Sequence, residues 1–245
     1  MQKFILLICT LFFLSSCKTT SSIFQESQTS TTQQLSLGSI GLDKDFILQS
    51  NFNSAATPSY QEPVKVSVFK VPFTKATYNA FTKAKTLQTA NVNITYIDSL
   101  PVKPNFIKLQ IADKVSVINA LNSEHNTNVK TYLQHNKTAN MITSISLALN
   151  KEDLDNITSA DAAFLIEKQP KIYALQLYKE AEKVQLIWFN KGIIFEYKTS
   201  NCCWQAIRKN DLDIVDLVDP YSNCPNKTFR SANRANNKVK SDYKF

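Results

Sequence analysis

Apolar and polar positions follow a different rule in each part of this chain. Phe4 to Leu14 is an almost unbroken apolar run of about eleven residues behind Lys3. The stretch KTTSSIFQESQTSTTQQ that follows is polar and without period, and Leu35 to Leu48 adds scattered apolar residues. From Pro63 onward the patterns become regular. VKVSVFKV at 64–71 alternates, which predicts a half-buried strand. Residues 74–88 place Ala80, Phe81, Ala84 and Leu87 on one helical face with lysines opposite. Asn91–Ile97 and Phe106–Ile111 are the next two strand candidates. Asp113 caps a helix through KVSVINALNSEH, which Asn126–Asn128 interrupts. MITSISLAL at 141–149 predicts a further strand, and Asn150 caps the short acidic helix KEDLDNI.

After Ala162 the pattern turns to strands on short links: AFLIEK, KIYALQLY, KVQLIWFN and IIFEYKT. Asn190-Lys191-Gly192 reads as a hairpin, with Gly192 supplying positive φ. The expected fold class is therefore α+β: an antiparallel β-meander sheet with two or three helices on one face, preceded by a disordered tether. The expected organisation is a signal over 1–16, a tether over 17–62, one α+β domain over 63–226 and a basic disordered tail over 227–245. A flexible tether of that length has an r.m.s. span of roughly 35 to 40 Å.

The first apolar run is too short to span a bilayer, which takes about twenty apolar residues. It has the length of a secretory h-region. It ends in Leu14-Ser15-Ser16-Cys17, an aliphatic residue, two small residues and a cysteine. This resembles the lipobox of bacterial lipoproteins. The resemblance implies cleavage before Cys17 and acylation of Cys17 by diacylglycerol and a palmitate-type chain. Several acyl chains together anchor a protein stably. Lys18 stands where an aspartate retains enterobacterial lipoproteins at the inner membrane, so the resemblance places this one at the outer membrane, facing the periplasm.

Charge and glycine content narrow the function classes. The net charge is +8, but residues 227–245 carry +5 of it, and residues 18–226 only +2. A nucleic-acid-binding fold carries its basic patch on a folded face with aromatics, so that class is excluded. A basic tail near a membrane suits anionic lipid or lipopolysaccharide. Only three glycines occur, Gly38, Gly41 and Gly192, and no GxSxG. Phosphate-cradling loops and elbow-type serine hydrolases need more.

Three cysteines follow the anchor: Cys202, Cys203 and Cys224. An exported protein tolerates disulfides. Neighbours on a strand face opposite ways, so one of Cys202 and Cys203 points at Cys224. That bridge would close a loop of about twenty residues and contribute on the order of 3 kcal/mol. No zinc spacing occurs, and neither a metal nor another cofactor is expected. His125 and His135 flank a broken helix with no nucleophile at a recognisable spacing. Asp211, Asp213, Asp216 and Asp219 alternate with aliphatics, which predicts an amphipathic element with a solvated acidic face rather than a calcium loop. Asp98-Ser99-Leu100 is similar to the O-glycosylation motif of exported Bacteroidetes proteins.

These readings lead to a membrane-anchored envelope lipoprotein with no catalytic residue assigned. Its domain is expected to act as a binding or assembly module for another envelope protein. The alternative is a periplasmic hydrolase acting on envelope polymers through two carboxylates distant in sequence, with Glu167, Glu180, Glu182 and Glu196 as unranked candidates.

Overall fold

The structure is a computed structural model that describes residues 28–46, 49–208 and 211–242. Cys17, the signal and the first part of the tether lie outside the described residues. The rest is α+β with the sheet dominant. In chain order the elements are β1 (Thr29–Ser30), β2 (Ile40–Phe46), β3 (Gln49–Ala56), β4 (Val64–Pro72), α1 (Lys75–Lys85), β5 (Asn105–Ile111), α2 (Lys114–Asn122) and α3 (Thr127–His135). They continue with β6 (Asn140–Ala148), α4 (Lys151–Ser159), β7 (Ala162–Gln169), β8 (Ile172–Lys179), β9 (Glu182–Trp188), β10 (Ile193–Arg208), β11 (Asp211–Val218) and α5 (Ala232–Asp242). The main strand order is β1-β10-β6-β5-β4-β7-β8-β9, with every pair antiparallel.

The expected helix starts are present. Thr74 accepts the Thr77 amide and Thr77 answers the Thr74 amide, closing a capping box on α1. Asp113 accepts the Ser116 amide at 2.9 Å and Asn150 accepts that of Asp153 at 2.8 Å. Both satisfy donors that the first helical turn leaves without a partner.

Helices cover both faces of the sheet, not one. β6 is buried along its whole length: Ile145 and Leu147 face the larger core, Ala148 the smaller one, and Ser144 and Ser146 are covered by hydrogen bonds with Gln28 and Glu196. Ile107, Leu109, Ile145, Leu147 and Ile194 face the larger core, which Val117, Leu121 and Leu133 of α2 and α3 close. Phe106, Ala148, Ile193 and Phe195 face the smaller one, closed by Phe81 and Ala84 of α1. There the Phe73 ring lies 4.9 Å from Phe106 and 5.6 Å from Phe195. Such aromatic contacts add to the area term.

Several further expectations are corrected. The tether does not run to residue 62: β1, β2 and β3 precede Pro63, and Leu35, Leu37, Ile40, Phe52 and Tyr60 are buried in the larger core. Their backbone is paired too, Gly38 donating to the Ile142 carbonyl and Ile142 to that of Ser39, each at 2.8 Å. Gly41 permits this docking, since a Cβ there would lie 2.2 Å from the Asn53 carbonyl oxygen. Asn91–Ile97 is not a strand; it crosses irregularly over the smaller core, with Val92 buried and Tyr96 stacked 4.9 Å from Tyr78. α1 stops at Lys85, leaving Leu87 70% exposed, and Gln88 bonds both backbone groups of Ile194 instead.

Another correction concerns the meander, which ends at β9. Phe189–Lys191 forms a 3-10 turn, Gly192 has φ −119°, and β10 leaves β9 to pair with β6. Gly192 serves close approach rather than positive φ: a Cβ there would meet the Leu147 side chain at 2.5 Å and the Ala148 carbonyl at 2.8 Å. Within the meander the positive φ values sit in the β7–β8 and β8–β9 turns, at Lys171, Glu180 and Ala181. The described residues hold five helices rather than two or three. One arises because the turn at Glu124–Asn126 splits α2 from α3, and another because the basic tail folds as α5. Ala232 and Ala235 are 3% and 2% exposed, so burial of this small apolar pair fixes the tail on the domain.

Candidate functional site

β10 builds the site. Its first half, Ile193–Ser200, pairs with β6, and its second half, Asn201–Arg208, pairs with β11. A bulge at Cys203/Trp204 marks the second ladder. The two neighbouring cysteines part there. Cys203 is bonded to Cys224, with Cα atoms 5.7 Å apart, whereas Cys202 is a free, buried thiol of the larger core. Burial pushes the Cys202 thiol up to about 12, which leaves it inert as a nucleophile.

The bridge is one of four ties holding residues 219–231 against β10. Trp204 and Phe229 exchange both backbone hydrogen bonds, at 2.7 and 2.9 Å. Lys198 pairs with the Asp219 carboxylate at 2.9 Å. Arg230 donates to the Asn201 side-chain carbonyl at 2.9 Å, to the Asp219 carbonyl at 3.0 Å and to the Ser222 carbonyl. The Arg230 acceptors are all neutral, so its charge is not cancelled by them.

Sequence reasoning missed the support behind Arg230. Asp43 on β2 accepts the Tyr197 hydroxyl at 2.7 Å and the Asn140 amide at 2.8 Å. Asn140 in turn accepts from Asn201, whose other side-chain atom receives Arg230. A hydrogen-bonded row thus runs from Asp43 through Asn140 and Asn201 to Arg230. Its members are scattered over 187 positions of sequence, from 43 to 230, and no local pattern announces them.

In front of this row opens a cleft of about 750 Å³. One wall is the link between α3 and β6, with Lys137 and Thr138. The other is the disulfide-tied turn with Asn223 and the first turn of α5, with Ser231 and Arg234. Arg230 also lines it, and among the described residues no carboxylate does. Lys137 and Arg234 are exposed.

The remaining candidates lie elsewhere. His125 is exposed on the 3-10 turn, and His135 closes α3 with its Nδ1 2.8 Å from the Thr131 carbonyl. Glu167 is occupied locally, accepting the Ser59 hydroxyl at 2.8 Å and the Lys171 amide at 2.7 Å. Glu180 lies in a turn and Glu182 opens β9, both exposed. Glu196 on β10 is half-buried beside Ser146, which donates to it at 3.0 Å; burial raises its carboxyl above the ordinary range. None of these four glutamates lines the cleft. The acidic run forms β11, where Asp213 pairs with Lys130 at 2.7 Å and Asp216 accepts the Leu217 amide. Among the described residues no group of three or more His, Cys, Asp or Glu side chains is placed to hold a metal ion. No helix among them is long and apolar enough to cross a membrane. Asp98-Ser99-Leu100 occupies an exposed turn.

Compared with protein-family models, with curated proteins and with solved structures, the chain finds no match.

Proposed function

We propose that the protein is a lipid-anchored component of the bacterial cell envelope, held at the periplasmic side of the outer membrane through Cys17. Its α+β domain serves as a binding or assembly module. The observation that carries the anchor is the sequence Leu14-Ser15-Ser16-Cys17 at the end of a short apolar run. The Cys203–Cys224 bridge supports export, because such bonds persist in oxidising compartments. The cleft supports the binding role: its polar groups converge from three separate elements onto one concavity.

The test is metabolic labelling with an alkyne-tagged fatty acid in cells producing the wild type or Cys17→Ser. Label on the wild type alone, with a mature chain starting at Cys17, is the expected result. Equal label on Cys17→Ser, or none on either, defeats the anchor. In-cell crosslinking and mass spectrometry then test the module: a stoichiometric envelope protein is expected, and a clean monomer counts against assembly.

A second reading, hydrolysis of envelope polymers, draws on Glu196. Burial raises its carboxyl, the direction a general acid requires, and a glycosidase would need a second carboxylate to work with it. Soluble fragments released from purified envelope polymer by the wild type but not by Glu196→Gln would replace the first reading.

A further inference from the structure

We propose that the cleft between the α3–β6 link and the start of α5 binds a phosphate-bearing ligand. The inference names a ligand class for the binding module proposed above, yet it rests on the cleft and not on the anchor.

Three cations converge on this concavity from separate elements: Lys137 from the link, Arg230 from the turn and Arg234 from α5. Among the described residues no lining residue is acidic. The nearest carboxylate in sequence, Asp219, is drawn away to Lys198 at 2.9 Å. Arg230 spends its hydrogen bonds on neutral carbonyl oxygens. Among the described residues neither Lys137 nor the Arg234 guanidinium has a carboxylate partner. Three like charges converging without a counter-ion repel one another, and an anion between them relieves that repulsion.

The kind of anion follows from the donors. Guanidinium forks match the paired oxygens of phosphate and carboxylate alike. Three cations, with the hydroxyls of Thr138 and Ser231 beside them, suit a group that presents several acceptor oxygens around one anionic centre, as a phosphate monoester or diester does. That favours phosphate over a single carboxylate. The positive end of the α5 dipole lies at the same wall. The volume of about 750 Å³ leaves room for a phosphate carried on a larger polar group as well as for a free one.

One of the three cations is held in place beforehand. Arg230 is fixed from behind by Asn201 and Asn140, and the turn that carries it is tied by the disulfide and the Trp204–Phe229 bridge. Donors held in place before binding lose little conformational freedom when the ligand arrives.

The experiment follows amide shifts of the full chain by NMR during titration with inorganic phosphate, glycerophosphoglycerol, glycerophosphocholine and acetate. Saturable shifts at residues 137–138 and 228–234 are expected with the first two, weakening as salt rises. Lys137→Gln and Arg234→Gln, both exposed and outside the core, are each expected to weaken binding about tenfold. Lys75→Gln and Lys83→Gln on α1 should leave it unchanged. Tighter binding of glycerophosphoglycerol assigns a lipid-type headgroup, and tighter binding of inorganic phosphate assigns a free phosphate or monoester. The proposal is overturned by absence of saturable shifts at the cleft, by equal binding of acetate, or by undiminished binding in both cleft variants. Anchor failure would show in acyl labelling and cleft failure in these titrations, so the two are separable.

Discussion

Removal of the Cys203–Cys224 bond should destabilise the domain chiefly by releasing the unfolded chain. The two residues are 21 positions apart, so the bond closes a ring of about twenty residues. Loop-closure entropy for a ring of that size is roughly 11 cal/mol/K, or about 3 kcal/mol at room temperature. The native side loses less. The Trp204–Phe229 backbone pair, the Lys198–Asp219 ion pair and the Arg230 hydrogen bonds all cross the same gap and survive reduction. For a domain of this size about 3 kcal/mol corresponds to a fall in melting temperature of about 6 to 12 °C. The assay is urea unfolding of the wild type, with and without reductant, beside the double variant Cys203→Ala, Cys224→Ala. The reduced wild type and the double variant should fall to a common lower stability, with a slightly larger m-value from a more open denatured state. A difference below about 0.5 kcal/mol would refute the entropic argument. Should the double variant fail to fold, tandem mass spectrometry of the unreduced protein still decides the pairing, and a bridge through Cys202 would sink it.

Phe52→Ala should cost about 3 to 5 kcal/mol in the same urea assay, because Phe52 is 2% exposed and lies edge-on to Tyr197 at 5.7 Å. A loss under about 0.5 kcal/mol would mean that the chain before Pro63 contributes little to the core. Cys202, with its thiol pushed up to about 12, is thiolate roughly once in ten thousand molecules at about pH 8. It should resist a thiol reagent until denaturant is added, and fast labelling of the native protein would contradict its burial. Burial raises the Glu196 carboxyl in the folded state, so the folded form prefers it protonated. The associated stability is present at low pH and lost as pH rises through the raised value. Glu196→Gln should therefore match the wild type at about pH 4 and melt higher than it at about pH 7; a gap that is equal at both pH values, or reversed, would show that the carboxylate is not penalised.

Local chemistry along the chain was enough to set the elements wherever one face of a strand or helix was written in consecutive residues. The alternation of 64–71, the capping residues Asp113 and Asn150, and the closely linked strands after Ala162 all correspond to observed elements. Strand alternation alone required that Cys202 and Cys203 point apart, and it left open which one meets Cys224. Cys203 lies on the face of β10 that the 219–231 turn reaches, whereas Cys202 faces the larger core. Leu35, Leu37, Ile40, Phe52 and Tyr60 carry no regular period, because they answer to partners on β6, β8 and β10 rather than to their own helix or strand. The departure of β10 from β9 was hidden for the same reason. A hairpin signal reports only the turn, whereas the preference of β10 for β6 lies in packing that exists once both cores have formed. The cleft is the furthest from the sequence. Lys137 and Arg234 are ordinary exposed cations along the chain, and only the folding of α5 back onto β10 sets them around one concavity with Arg230. Local chemistry acts over a few residues, and charge convergence needs the whole fold.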